Sequence, residues 1–493
     1  MTTSRNYLAI DLGAESGRMI LGQLDENLLQ LKETHRFPNV PVRLPDGLHW
    51  DVLRLWKEIK AGISATVQRN HHLASLGLDT WGVDFALLDK NGGLLGNPYH
   101  YRDSRTDGML EEAYCVMPRN EIFANTGIQF MQLNSLYQLL AMVREKSPLL
   151  DIAETFLTIP DLFNYWLSGE ITNEFTNATT TQCLDPSSRD WAYPLLDALN
   201  IPTQMFGTIN HPGTILGALI PEVASETGAV DVQVVIPSCH DTGSAVVAVP
   251  AQDQDFAWLS SGTWSIIGAE VNEPVVNEKA LDYNFTNEGG VFDTWRLSKN
   301  IMGLWLVQEC HRAWQAEGKV FSYDDLTRMA EDSLASLAVI DPDDAVFFHP
   351  GSMPDKIRSY CRDTGQRTPN SAGEVIRVAL ESLALKYRWV LERLEELGGK
   401  KLSPLHIIGG GTKNRLLNQF TADAINRTVV AGPVEATAIG NILMQAIALG
   451  DLGSLTEARK VVRDSFQVEE FHPKNPSAWD ASYTKLLSFL EKE

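Results

Sequence analysis

Short apolar runs that end on small polar turns set the pattern of the chain. Tyr7-Leu8-Ala9-Ile10 stops at Asp11, crosses Leu12-Gly13-Ala14-Glu15-Ser16-Gly17-Arg18 and resumes as Met19-Ile20-Leu21-Gly22. This predicts strand, tight turn, strand, with a third strand near residues 29–37. The device recurs about half a chain later, where Phe256-Ala257-Trp258-Leu259 meets Ser260-Ser261-Gly262-Thr263 and returns as Trp264-Ser265-Ile266-Ile267-Gly268. A supersecondary unit used twice suggests two similar lobes. Further strands are predicted at residues 75–79, 83–88, 232–236 and 405–408, and helices at 135–144, 304–316 and 374–397. In the last helix Ile376, Leu380, Leu383, Tyr387, Val390, Leu391 and Leu394 recur every three or four residues, and Gly398-Gly399 follows as a C-cap. That stripe reads as core packing. Strands mixed with helices give an α/β chain. Pro250, Gln252 and Asp253 interrupt the apolar pattern and place a lobe boundary within residues 247–254.

Composition narrows the function classes. The 493 residues allow two or three domains. Hydrophobic residues at 44% and charged residues at 21% are ordinary for a globular protein. The formal net charge is −22 and no Lys/Arg cluster occurs, which argues against a nucleic-acid surface. The five cysteines are widely spaced without a Cys-x-x-Cys pair, so neither a zinc site nor a disulfide scaffold is indicated. No run of about 18 apolar residues appears, so no membrane span is expected. The first six residues lack the apolar core of a leader, and the expected compartment is the cytoplasm.

Four loops carry candidate chemistry. In Asp11 to Arg18 a carboxylate at a strand end can hold a hard cation, while glycines let backbone N–H groups turn towards phosphate oxygens. The Gly-Lys-Ser/Thr ending of a Walker loop is missing, and taken by itself the loop reads more simply as a hairpin whose Asp and Gly serve turn geometry. Ser260-Ser261-Gly262-Thr263 offers three hydroxyl donors, or a hydroxyl-rich turn. Gly409-Gly410-Gly411-Thr412 follows the strand at 405–408 and permits close backbone approach to a flat or anionic ligand, with a helix beginning near Asn414. Ser238-Cys239-His240-Asp241-Thr242-Gly243-Ser244 puts a carboxylate at a strand end, where it is either a helix N-cap or a group placed to take a proton from a sugar hydroxyl.

Taken together, these loops resemble the FGGY family of sugar kinases, within the actin-like, ribonuclease-H-like ATPase superfamily. The likeness extends to Asp79-Thr80-Trp81-Gly82-Val83-Asp84-Phe85, Tyr101-Arg102-Asp103-Ser104-Arg105-Thr106, Asn177-Ala178-Thr179-Thr180-Thr181-Gln182 and Lys299-Asn300-Ile301-Met302-Gly303, and runs from near residue 7 to about 445. It implies an α/β fold of two ribonuclease-H-like (actin-like ATPase) domains with an interdomain active-site cleft. Residues 1–248 would mainly bind sugar. Residues 249–493 would mainly bind nucleotide and include a C-terminal helical segment. By the same resemblance Asp241 is the catalytic base, and Gly82, His240, Asp241, Thr242 and Asn300 contact the sugar. Ala14, Glu15, Ser16, Gly17, Arg18, Thr263, Gln308 and Gly410 contact ATP, and Asp11 is the Mg²⁺ partner.

The reaction implied is ATP- and Mg²⁺-dependent phosphorylation of L-rhamnulose at O1, in L-rhamnose breakdown. L-fuculose and L-xylulose are alternative substrates. The partners are small molecules, without nucleic acid or membrane, and the state a monomer or homodimer. Trp81 and Phe85 are candidates to pack on the apolar face of the sugar. A carboxylate at position 15 would repel phosphates, so Glu15 is expected to point outward or towards Mg²⁺. Val378 stands where the resemblance would pair a cysteine with Cys361, which leaves five free thiols. Two other classes remain open: a non-catalytic sensor on the same fold, and an actin-like filament protein. The intact set of Asp11, Asp241 and Thr263 speaks against the first, and the block from Trp81 to Phe85 against the second.

Overall fold

The structure is a computed structural model that describes residues 4–69, 72–335 and 338–490. Residues 1–3, part of the segment read against a leader, lie outside the described residues. The chain divides into two compact units interleaved in sequence. One comprises Met1–Gln252, Glu270–Leu297 and Ala436–Phe466, and the other Asp253–Ala269, Ser298–Glu435 and Gln467–Glu493.

The first unit is built on strands β1 (Arg5–Leu12), β2 (Ser16–Asp25), β3 (Leu28–Pro38), β4 (Ser75–Thr80), β5 (Ile215–Ala218) and β6 (Gln233–Val235). They lie in the order β5-β6-β4-β1-β2-β3. β1 and β2 form the predicted hairpin, with Asp11 opposite Arg18 and Leu12 opposite Gly17. β4 runs parallel to β1 and sets Asp79 beside Asp11. Both central strands are buried on two faces, hence their nearly continuous apolar sequences up to the carboxylates at their ends. The helix Ala436–Ala448 covers this centre. Its Gln445 donates to the Leu8 carbonyl (3.1 Å) and its Asn441 to the Gly77 carbonyl (3.1 Å). No signal local to either segment marks the last hundred residues as returning to the first strands.

The second unit is built around β7 (Ala257–Ser261), β8 (Trp264–Val271), β9 (Trp295–Met302), β10 (Leu405–Ile408), β11 (Val429–Ala431) and β12 (Glu469–Phe471), which lie in the order β9-β8-β7-β10-β11-β12 within a seven-stranded sheet whose remaining strand, Thr286–Gly289, flanks β9. The β7–β8 pair is an antiparallel hairpin and β10 runs parallel to β7. The logic of the first sheet is thus repeated: a hairpin, then parallel strands added on the other side of its first strand. The long predicted helix is Ala372–Gly398. A capping box of Ser371 and Glu374 starts it, Gly399 in the left-handed region (φ 67°) ends it, and the predicted stripe from Ile376 to Leu394 is buried. All five cysteines are free. Among the described residues no helix is long and apolar enough to cross a membrane.

Asp84 is the polar centre of an aromatic cluster. Its Oδ2 accepts from the indole N–H of Trp50 (2.6 Å) and of Trp81 (2.9 Å), and its Oδ1 from Gln138 (2.9 Å). Trp81 packs on Trp50 with ring centroids 4.1 Å apart, and Phe85 stacks on Phe156 at 4.9 Å. The structure therefore places both rings expected against sugar in core contacts that account for them without a ligand.

Burial raises the Asp84 carboxyl to about 6, against the hydrogen bonds that lower it, and burial likewise raises Glu174 to about 7. An acid with a raised native pKa binds more protons folded than unfolded between its two pKa values, so stability falls as pH rises through that window. The melting temperature is therefore expected to drop between about pH 4.5 and 7. A melting curve that climbs steadily across this range contradicts the assignment.

Candidate active site

The predicted chemistry gathers where parallel strands end, the usual place for ligands in open α/β sheets. In the first unit Asp11 and Asp79 close β1 and β4, and Asp241 opens the helix Asp241–Val247 that follows β6. Asp11 Oδ2 accepts from Arg18 Nε (2.8 Å) and Nη2 (2.7 Å), so the hairpin register itself pairs the loop's first and last charged residues. Within the turn Gly13 N–H donates to the Ser16 carbonyl (2.9 Å), and Asn39 holds the Gly13 and Glu15 carbonyls. Glu15 is exposed.

Asp241 is held by its neighbour. Thr242 donates its backbone N–H (2.5 Å) and its hydroxyl (3.1 Å) to Asp241 Oδ1. The side chain keeps 31% of its surface accessible, enough for a substrate hydroxyl to reach it. Burial raises its pKa, the Asp11 charge raises it further and the hydrogen bonds from Thr242 oppose the rise. Thr242, predicted as a sugar contact, directs both of its donors at Asp241.

The loop before Asp241 is fixed by a buried carboxylate. Glu174 caps the helix Phe175–Thr180 by accepting from Thr176 and Asn177 N–H, and its Oε2 also accepts from Cys239 N–H (3.2 Å). Thr176 Oγ1 in turn accepts from His240 N–H (3.2 Å). Thr80 N–H donates to the Cys239 carbonyl (2.9 Å), which ties the end of β4 to the same loop and pairs Thr80 with His240, two residues before Gly82. After Gly82 the chain makes a γ-turn: Asp84 N–H donates to the Gly82 carbonyl (2.9 Å) and Val83 sits at φ 68°. A β-branched residue with positive φ is strained, and such strain concentrates at binding sites.

His240 is buried against Arg296 and Glu288. Arg296 Nη2 lies 3.1 Å from His240 Nδ1, and Glu288 Oε2 lies 3.2 Å from both. Glu174, Glu288 and Arg296 were not among the predicted site residues. Nothing local marks them, because they reach the loop from separate elements. A buried charge in an apolar stretch is the only hint each sequence position offers.

A divalent cation suits the carboxylate rim. Asp79 Oδ2 accepts from Asn441 (2.6 Å), while its Oδ1 is buried without a hydrogen-bond partner. Burial raises the Asp79 pKa well above the ordinary value, and the charges of Asp11 and Asp241 raise it further. Mutual repulsion of this kind is what a bound cation relieves. Among the described residues no three His, Cys, Asp or Glu side chains close into a metal cluster. Magnesium bound with nucleotide ordinarily uses one or two carboxylates and completes its shell with water and phosphate.

The second unit holds Thr263, Asn300, Gln308 and Gly410. The turn at Gly262–Thr263 is pinned from one side, where Leu304 N–H donates to the Gly262 carbonyl (2.9 Å) and Trp305 N–H to the Thr263 carbonyl (3.1 Å). Gln308 lies one helical turn further on, and its side-chain oxygen is buried without a partner, an acceptor left for a ligand donor. The triple glycine enters a 3₁₀ turn, Gly410–Lys413, before the helix Arg415–Ile425 that Asn414 caps. A Cβ at Gly411 would come within 1.9 Å of Ser261 Oγ, whereas one at Gly410 would meet nothing within 4 Å. Gly411 therefore serves packing, and Gly410 leaves open space beside the backbone. Asn300 lies on β9, partly buried.

A family model described as the FGGY family of carbohydrate kinases, N-terminal domain, matches residues 6–248, and the corresponding C-terminal domain matches residues 257–449. The chain belongs to the FGGY family of carbohydrate kinases. This kinase, a phosphotransferase acting on sugar, is 43% identical over 479 residues to a rhamnulokinase of Bacteroides thetaiotaomicron, covering 97% of this chain and 98% of the relative. It is also 43% identical over 461 residues to a rhamnulokinase of Oceanobacillus iheyensis, covering 94% and 97%. Among solved structures it resembles the ligand-bound xylulose kinase of Lactobacillus acidophilus, with a TM-score of 0.81 at 17% identity over 98% of this chain and 96% of that one. The Plasmodium falciparum glycerol kinase with ADP gives 0.79 at 17% identity, over 99% and 97%. At such identities the likeness is one of fold, and it agrees with the two-domain α/β architecture.

Proposed function

We propose that this kinase transfers the γ-phosphoryl group of ATP to O1 of L-rhamnulose, with Asp241 as the base. What carries the reading is the 43% identity to a rhamnulokinase over 97% of the chain. Each need of the chemistry has a candidate group in this reading. In the first unit Asp241 accepts the proton of the attacking hydroxyl, Thr242 holds the carboxylate in place, and Gly82 and His240 contact the sugar; Asn300 of the second unit is a separate proposed sugar contact. Backbone N–H groups of the loop from Ala14 to Arg18 are proposed to take the nucleotide phosphates, and in the second unit Thr263, Gly410 and the unpartnered side-chain oxygen of Gln308 are its proposed contacts. Phosphoryl transfer passes through a loose transition state whose charge spreads over peripheral oxygens, so alignment and charge neutralisation dominate. Asp11, with Asp79 beside it, is the group to hold Mg²⁺, which when bound offsets the negative charge of the phosphates.

Coupled assays of ADP release across L-rhamnulose, L-fuculose and L-xylulose test the substrate. L-rhamnulose is expected to give the highest kcat/KM by about tenfold or more, the scale on which one misoriented hydroxyl is rejected by a hydrogen-bonding site. A higher kcat/KM for either other ketose overturns the assignment.

A further inference from the structure

Arg296, with 1% of its surface exposed, is anchored by donating Nε–H to the Gly289 carbonyl (2.8 Å) and directs Nη2 at His240 Nδ1 (3.1 Å). Nδ1 also has Glu288 Oε2 at 3.2 Å, but of its two neighbours only Arg296 has hydrogen-bond geometry, and a guanidinium, which has only donors, asks Nδ1 for a lone pair. In a neutral imidazole whose Nδ1 accepts, the proton resides on Nε2. That nitrogen lies 3.4 Å from Asp241 Oδ1. Glu288 Oε2 sits 3.2 Å from both His240 Nδ1 and Arg296 Nη2, yet makes no hydrogen bond. Its role is charge balance: burial opposes its ionisation, and the Arg296 guanidinium beside it favours the charged carboxylate. His240 is 7% exposed and its backbone is tied to Thr176, so the ring has no room to exchange partners freely.

We infer that Arg296 is a positioning residue that locks His240 in the Nε2-protonated form, making His240 a fixed donor towards Asp241 and the sugar and leaving Asp241 the sole proton acceptor of the pair. One ring nitrogen is occupied by Arg296 and the other carries hydrogen, so the imidazole has no lone pair to offer a substrate hydroxyl. Without Arg296 the opposite tautomer becomes available, with Nδ1–H donating to Glu288 and a bare Nε2 competing with Asp241 for the same proton. The inference rests on the reading of Asp241 as base.

The test is long-range ¹H–¹⁵N correlation on the full chain labelled at histidine, without sugar or ATP, with the His240 ring assigned by its loss in His240→Asn. The expected ring carries hydrogen on Nε2 and none on Nδ1. Arg296→Met should shift the ring towards the Nδ1-protonated form. Because that change strands the Glu288 charge, Arg296→Met/Glu288→Gln is measured beside it. In a folded variant kcat should fall about ten- to hundredfold with the KM for ATP unchanged, the scale of a misplaced reacting group. An Nδ1-protonated or doubly protonated ring in the unaltered chain overturns the inference, as does an unchanged kcat in a variant whose tautomer has shifted. Since the ring signals need no substrate, they separate this failure from failure of the Asp241 assignment, which the kinetics of Asp241→Asn address.

Discussion

Asp241→Asn is expected to lower kcat by about 10²–10⁴-fold, the usual contribution of a positioned base, while leaving the dissociation constants for sugar and ATP within a few-fold of the starting values. The substitution is close to isosteric. The asparagine Oδ1 still accepts from the backbone N–H and hydroxyl of Thr242, the two contacts that fix the side chain. What disappears is the charge. Because the transition state is loose, the hydroxyl keeps much of its proton until late, and the base acts both by orienting the nucleophile and by receiving that proton. An amide keeps the first role in part and has lost the second. Stability should move the other way: burial disfavours the charged form of Asp241, so the neutral amide should melt at the same temperature or higher. Single-turnover kinetics separate chemistry from product release, and calorimetry gives the affinities. Turnover above about a tenth of the original value would remove Asp241 from the role of base.

The fold was legible in the sequence wherever periodicity is local. The two hairpins around Gly13 and Gly262, the strands ending at Asp79 and Ile408, and the long helix ending at Gly399 all follow from alternation, heptad-like spacing or a glycine cap. What stayed hidden depends on distant segments. Arg296 and Glu288 lie eight positions apart in sequence and join His240 only once the chain has folded. Glu174 reads as an isolated acid until its carboxylate is seen holding Cys239. Trp81 and Phe85 misled for the opposite reason. Aromatic residues in a loop rich in polar groups suggest a sugar platform, yet the carboxylate of Asp84 satisfies the Trp81 indole and draws that ring into the core beside Trp50. Composition registers the aromatic surface but not which partner covers it.

Gly440→Ala should destabilise the protein by about 3 kcal/mol, the upper range for overpacking a close contact, although alanine is the better helix former by about 1 kcal/mol. Gly440 lies inside the helix Ala436–Ala448, where propensity alone favours the change. An added Cβ would fall 1.8 Å from the Ser244 carbonyl oxygen and 2.7 Å from its carbon. Both are backbone atoms, so no side-chain rotation relieves the clash, and one helix must move away from the other. The helix that gives way begins at Asp241, and the Ser244 N–H is bonded to the His240 carbonyl (3.0 Å). The same residue anchors the loop through its hydroxyl, which donates to the Ser238 carbonyl (2.7 Å). On the other side Asn441, next to Gly440, loses its aim on Asp79. A lowered melting temperature, by about 5 °C or more, should therefore come with a fall in kcat even where the variant is fully folded. Gly398→Ala provides the control, since a Cβ there meets nothing within 4 Å. If Gly440→Ala proved as stable and as active as that control, the two helices would not be in the close contact that sets the position of Asp241.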